Sequence, residues 1–150
     1  MSLTRVIIID PYNEIITEKE IELKLNDLKP LYKLAKCDCF SFVYSIKDHF
    51  LLVDDNGLLI NDPVLFLHRS YPQPLAGIGI ILGKEGEEGD LTSATVSLKE
   101  VKRDTAFVSK ILKFTGVKMS EGDTDHPIFG KMHTITNTPI FEERKDEDNA

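Results

Sequence analysis

His49–Gly83 reads HFLLVDDNGLLINDPVLFLHRSYPQPLAGIGIILG, and the punctuation inside it decides the fold class. Asp54-Asp55-Asn56-Gly57 lies between apolar runs, and Asn-Gly in that setting is a strong short hairpin signal. It predicts a strand over 49–53 and a return strand beginning at Leu58–Ile60, ended by Asn61-Asp62-Pro63. Val64–His68 (VLFLH) is short enough for one helical turn or a short strand. Ser70–Pro74 (SYPQP) forms a polyproline-like corner, because each proline fixes its own φ and pushes its predecessor out of helical space. Leu75–Gly83 then reads as a single strand entering the core. Its Gly77 and Gly79 leave one face bare for a backbone or a ring to approach. Tight hairpin links between short apolar runs belong to antiparallel sheets.

Toward the N-terminus, Thr4–Ile9 (TRVIII) is β-branched and predicts a strand buried on both faces, broken at Asp10-Pro11. In Glu14–Leu25, Thr17-x-x-Glu20 imitates a capping box, yet Ile21, Leu23 and Leu25 alternate with Glu20, Glu22, Lys24 and Asn26. Period two predicts a half-exposed strand. Leu28–Lys36 is the first helix, capped by Asn26 or Asp27, with Pro30 tolerated in its first turn and Leu28, Leu31, Tyr32 and Ala35 on one face. Cys37–Ile46 is aromatic and β-rich, a further strand.

Toward the C-terminus, Thr92–Val96 reads as a strand, and Ser97-x-x-Glu100 offers a capping box for a short helix through Arg103. Phe107, Val108, Ile111, Leu112 and Thr115 fit helical spacing, with a strand from Thr105 as the competing fit. Glu121–Pro127 reads as loop, Lys131–Thr136 as an edge strand, and Glu142 onward as a solvated tail. The whole is an α+β domain on a mostly antiparallel sheet with one or two short helices, in a single compact domain. Residues 1–108 form its core, 109–141 an extension packed on or beside it, and 142–150 an acidic disordered tail.

The 150 residues suit one domain. The formal charge of -7 is concentrated. Lys84–Asp90 and Glu142–Asp148 each carry a net of -3, so the remaining chain is nearly neutral. No basic stripe is present to neutralise phosphates, which argues against direct nucleic-acid binding. No apolar run is long enough to span a bilayer. The opening MSLTRVIIID ends its short apolar run at an acid and a proline, reads as a strand rather than a signal peptide, and makes the cytoplasm the expected compartment. Cys37 and Cys39 are expected to be reduced thiols there.

Several motifs carry a resemblance. Ile9-Asp10-Pro11, Ala35–Phe40 (AKCDCF), Val53–Leu59 (VDDNGLL) and Tyr71–Gly77 (YPQPLAG) with Leu82-Gly83 resemble a family of small proteins of unknown function from bacteria, phages and mobile elements. That family shows I-D-P, G-C-D-x-F, V-D-D-x-G-L-L and Y-P-Q-P-L-A-G followed by L-G. The resemblance spans roughly residues 5–108, and Lys36 stands where its pattern has a glycine. It implies an accessory protein of a phage or mobile element, by association.

Four residues are candidate ligand-binding positions. Asp54 and Asp55 beside a glycine turn offer hard oxygens suited to Mg²⁺ or Ca²⁺, but the full calcium loop is absent, and turn formation explains both. Arg69, in His68-Arg69 before the corner, would clamp a carboxylate or phosphate, with Tyr71 stacking on a planar ligand. The plain structural alternative pairs Arg69 with Asp62 or the hairpin acids and lays Tyr71 over Gly77 and Gly79. Cys37, Cys39, His49 and His68 lack the short paired spacings of a zinc site. Asp123, Asp125 and His126 with His133 make a weak metal-like cluster. No nucleophile elbow or phosphate-loop frame is present, and no metal, cofactor or catalytic residue is expected.

The leading expectation is a non-enzymatic binding or regulatory protein acting on a host or element-encoded protein, its acidic tail steering toward a basic partner. The alternatives are a small-molecule or nucleotide pocket near Arg69 and Tyr71, with weak hydrolase activity at most, and a homo-oligomeric structural protein. The last would assemble through an edge strand around Ile78 and Ile80 or at Lys131.

Overall fold

The computed structural model describes residues 3–24, 27–44, 49–57, 62–87 and 90–144. Its centre is a five-stranded, wholly antiparallel sheet in the order β2-β1-β7-β4-β3. These strands are β1 (Thr4–Asp10), β2 (Ile15–Ile21), β3 (Phe40–Tyr44), β4 (Phe50–Asp54) and β7 (Gly79–Leu82). The fold is α+β and mostly antiparallel, as the sequence predicts.

The apolar run of β1 explains its central place, because both faces are covered. Val6 meets α1 (Lys29–Ala35) through Leu31 and Ala35, together with Leu52, Ile80 and Leu82. Ile7 and Ile9 turn the other way, with Leu51, Val53 and Ile81, toward Phe66 and Val101. Val101 belongs to α2 (Leu98–Asp104), whose Ser97 cap accepts the amide of Glu100 at 3.1 Å as the capping box predicts. Strand alternation thus gives one sheet two cores. In α1 the cap position is Leu28, and the Asp27 carboxylate accepts the Lys29 amide at 3.2 Å; Asn26 lies outside the described residues.

Between β1 and β2 the chain turns on Asp10, whose Oδ1 accepts the amides of Tyr12 (2.9 Å) and Asn13 (3.3 Å). A second, three-stranded sheet in the order β6-β5-β8 joins β5 (Leu65–His68), β6 (Leu75–Ala76) and β8 (Thr105–Phe107). Two expectations are corrected here. Leu75–Gly83 is not one strand: Gly77, at φ 82°, bends the chain so that 75–76 join the small sheet and 79–82 the large one. The helical spacing from Phe107 gives way to its competing fit, a strand from Thr105; for Val64–His68, which the sequence leaves open, the short strand is the reading observed, as β5.

The expected return strand at Leu58–Ile60 lies outside the described residues, and the sheet neighbours of β4 are β3 and β7. Thr92–Val96 is irregular rather than a strand. Its backbone is used by side chains instead: Arg5 Nη1 donates to the carbonyls of Ala94 and Val96, both at 2.9 Å, and His49 Nε2 accepts the amides of Thr95 (2.8 Å) and Val96 (3.2 Å).

The largest correction concerns the C-terminal third. Glu121–Pro127 is loop only at its end: β9 (Leu112–His126) and β10 (Gly130–Glu143) form a long two-stranded ribbon. Its base is tied down, with Leu112 and Phe141 packed around Leu65, Ala76 and Val108. Beyond the base it is exposed along most of its length. β10 takes in Glu142 and Glu143, and Arg144 closes the base on Asp62 at 2.7 Å. No helix among the described residues is long and apolar enough to cross a membrane.

Candidate functional site

The proline corner places a cleft that gathers convergent charged groups. His68 ends β5, and the Tyr71 amide donates to the His68 carbonyl at 3.0 Å, closing a turn that presents Arg69 and Tyr71. β8 pairs antiparallel with β5 in a register that sets Thr105 opposite His68. Because α2 runs directly into β8, this pairing also carries Arg103 and Asp104 to the turn, and the Arg69 amide donates to the Asp104 carbonyl at 2.8 Å. The resulting cavity, about 340 Å³, is lined by His68, Arg69, Tyr71, Arg103, Asp104 and Thr105, with Leu67 and Ala106 as apolar wall.

Asp104 is its electrostatic centre, with a side chain only 3% exposed. Arg103 grips both its oxygens, Nε to Oδ1 at 3.1 Å and Nη2 to Oδ2 at 3.2 Å, and Arg69 Nε stands 3.4 Å from Oδ1. The hydrogen bonds from Arg103 hold the Asp104 carboxyl below its usual range, against the opposing push of burial. His68 is driven the other way: burial lowers its pKa, and Asp104 only partly opposes that. Its Nδ1 lies 2.7 Å from Ser70 Oγ and accepts the Ser70 amide at 3.2 Å. His68 Nε2 and Thr105 Oγ1 are buried with no hydrogen-bond partner among the described residues. Each such group costs about 1–3 kcal/mol when left unpaired.

A Ser–His contact beside an aspartate invites comparison with hydrolytic triads, but the connections differ. The serine meets Nδ1 locally, two residues away, and the aspartate is committed to arginines rather than to the ring. The arrangement holds and neutralises charge; it does not line up a nucleophile.

Of the four predicted positions, Arg69 and Tyr71 line this cleft. Asp54 and Asp55 do not: Asp54 Oδ1 accepts the Asn56 amide at 3.0 Å within the turn after β4, and Asp55 accepts from the Ser41 hydroxyl on the neighbouring β3. Arg69 pairs with Asp104 rather than Asp62, and Phe66 rather than Tyr71 covers Gly79. His49 spends Nε2 on backbone amides. Burial, then the Asp54 charge, raises the Cys37 thiol and makes it a poor nucleophile. His133 pairs with Asp123 across the ribbon at 3.3 Å, while His126 Nδ1 accepts the Ile128 and Phe129 amides. No three metal-ligating side chains converge among the described residues.

Arg103, Asp104 and Thr105 escape sequence reasoning, since only the β5–β8 register brings them to Arg69. The one local signal was the abrupt passage from a capped helix into Thr-Ala-Phe.

The two halves of the motif-bearing stretch also meet. A Cβ at Gly57 would stand 2.8 Å from the Ala76 carbonyl oxygen, so VDDNG and YPQPLAG touch backbone to backbone. No curated protein and no solved structure matches the chain. A family profile described as a domain of unknown function matches residues 4–105, a span that contains both touching motifs and the acidic centre of the cleft. The chain belongs to the DUF3846 family.

Proposed function

We propose that this is a binding protein whose recognition site is the cleft between the proline corner and the α2–β8 junction. One observation carries the reading: two arginines, a buried aspartate and a buried histidine with an unpartnered ring nitrogen converge there from segments distant in sequence. At about 340 Å³ the cavity sits at the small end of the 300–1,000 Å³ typical of ligand sites, which suits a small molecule or one protruding group of a larger partner. Tyr71 supplies a ring at the rim. The wider role as a regulatory accessory protein of a phage or mobile element, acting on a host or element-encoded protein, is supported by the sequence resemblance.

Native mass spectrometry of the full chain, purified gently from its own host background, tests the site. A retained mass that disappears in Arg69→Ala is expected. The side chain of Arg69 is 73% exposed, so its removal should change stability by less than about 1 kcal/mol. A large loss of stability with no ligand released would return Arg69 to a purely structural role.

A further inference from the structure

Two of the residues that line the cleft carry buried polar side-chain atoms without a partner among the described residues, His68 Nε2 and Thr105 Oγ1. His68 is 1% exposed, and its Nδ1 accepts the Ser70 amide. A ring nitrogen that accepts an N–H carries no proton, so the neutral imidazole bears its hydrogen on Nε2. That Nε2–H points to no protein acceptor among the described residues, and neither does Thr105 Oγ1, across the strand pair from it. The charged groups around them are Arg69 from the turn and Arg103 and Asp104 from α2, while β8 adds only Thr105 and Ala106. Glu100, one turn before Arg103 on α2, also acts on that guanidinium, so Arg69 is the cation of the cleft least committed to a carboxylate. Asp104 is fully gripped by Arg103, whereas Arg69 meets it through Nε alone at 3.4 Å.

We propose that these groups form an oxyanion subsite. His68 Nε2–H and Thr105 Oγ–H donate to the oxygens of a carboxylate or a phosphate monoester, and the guanidiniums of Arg69 and Arg103 balance its charge. A cationic ligand would face both arginines. The inference rests on the cleft being a binding site and adds the chemistry of what it binds.

The test is a titration of the full chain with inorganic phosphate and, separately, with acetate, following the His68 ring nitrogens and the Ser70 and Thr105 amides by NMR. A saturable shift at His68 Nε2 is expected with at least one anion; a response to phosphate alone assigns a phosphoryl group, and to acetate alone a carboxylate. His68→Asn keeps an acceptor for Ser70 but removes the Nε2–H donor, and should weaken binding about tenfold. His68→Gln restores an N–H near the Nε2 position and should bind within about threefold of wild type. The Ser70 amide signal reports whether the turn is intact in each variant. No saturable shift with either anion, or undiminished binding by His68→Asn, overturns the oxyanion assignment. If a mass retained in the native spectrum is still lost in Arg69→Ala, the cleft survives as a site for another chemistry; if none is retained, both readings fall.

Discussion

Lys36 ends α1 in the left-handed region, at φ 54° and ψ 45°, with the Cys37 amide returning to the Tyr32 carbonyl at 3.2 Å. An L-residue with a Cβ costs roughly 1–2 kcal/mol there, and glycine is the usual occupant of such a position. The resemblance drawn from the sequence implies glycine at this place, where this chain has lysine. The departure does not abolish the turn; it leaves the same turn strained. Lys36→Gly should therefore raise stability by about 0.5–1 kcal/mol, the relief being partly offset by glycine's greater freedom in the unfolded chain. Urea denaturation of the two proteins measures this, and equal midpoints would show that the turn carries no strain. At the same scale, the sequence pointed to Arg69 and Tyr71 because a cation and a ring stood beside a proline corner. It was silent on Thr105, whose neighbours in sequence say nothing about His68.

Among the elements, β7 is the most constrained. It runs between β1 and β4, and a Cβ at Gly79 would meet Phe66 Cζ at 2.8 Å and Leu51 Cδ1 at 3.1 Å. Phe66 is wholly buried and ties the small sheet to the large one, so it has nowhere to go. Gly79→Ala should destabilise by about 1–3 kcal/mol through overpacking. Gly122→Ala on the ribbon, where nothing lies within 4 Å, should be near neutral. If chemical denaturation puts the two variants level, the packing argument fails. The bareness of Gly79 was legible in the sequence, although the ring that fills it was not. Elements with their own local instruction were readable: β1 from its β-branched run and α2 from its capping box, whereas the alternation over Glu20–Asn26 lies mostly past β2, which ends at Ile21. Of the ribbon, Lys131–Thr136 read as strand and lies inside β10, but β9 was not legible, because much of its far half (Glu121-Gly-Asp-Thr-Asp) is polar and glycine-bearing, the composition of a loop, and its pairing comes from the partner strand. The break at Gly77 was missed for a similar reason. A glycine in an apolar run looks the same whether it bends the chain or lies flat.

At the scale of the whole molecule, order is unevenly secured. The sheet residues Ile80–Leu82 are wholly buried, whereas Val117, Met119 and Ile135 on the ribbon are each more than half exposed, as are Ile128 and Phe129 at its tip. A two-stranded ribbon without a covering layer among the described residues is only marginally stable in water. Its backbone amides beyond Val117 should exchange orders of magnitude faster than those of β7, which open only with the core. Hydrogen exchange followed by mass spectrometry would show this, and uniform protection would mean that the ribbon is secured by contacts beyond its own two strands.

The strand order has a consequence for synthesis. β1 is made well before β7, its inner neighbour, so the edge of Ile7–Ile9 that faces Gly79–Ile81 has no partner until the chain reaches Leu82. At the usual 5–20 residues per second, that delay is on the order of 4–15 s after Asp10 is added. Throughout it the nascent chain carries an apolar hairpin with one open side, which makes translation speed across the proline corner a determinant of how safely this domain is born.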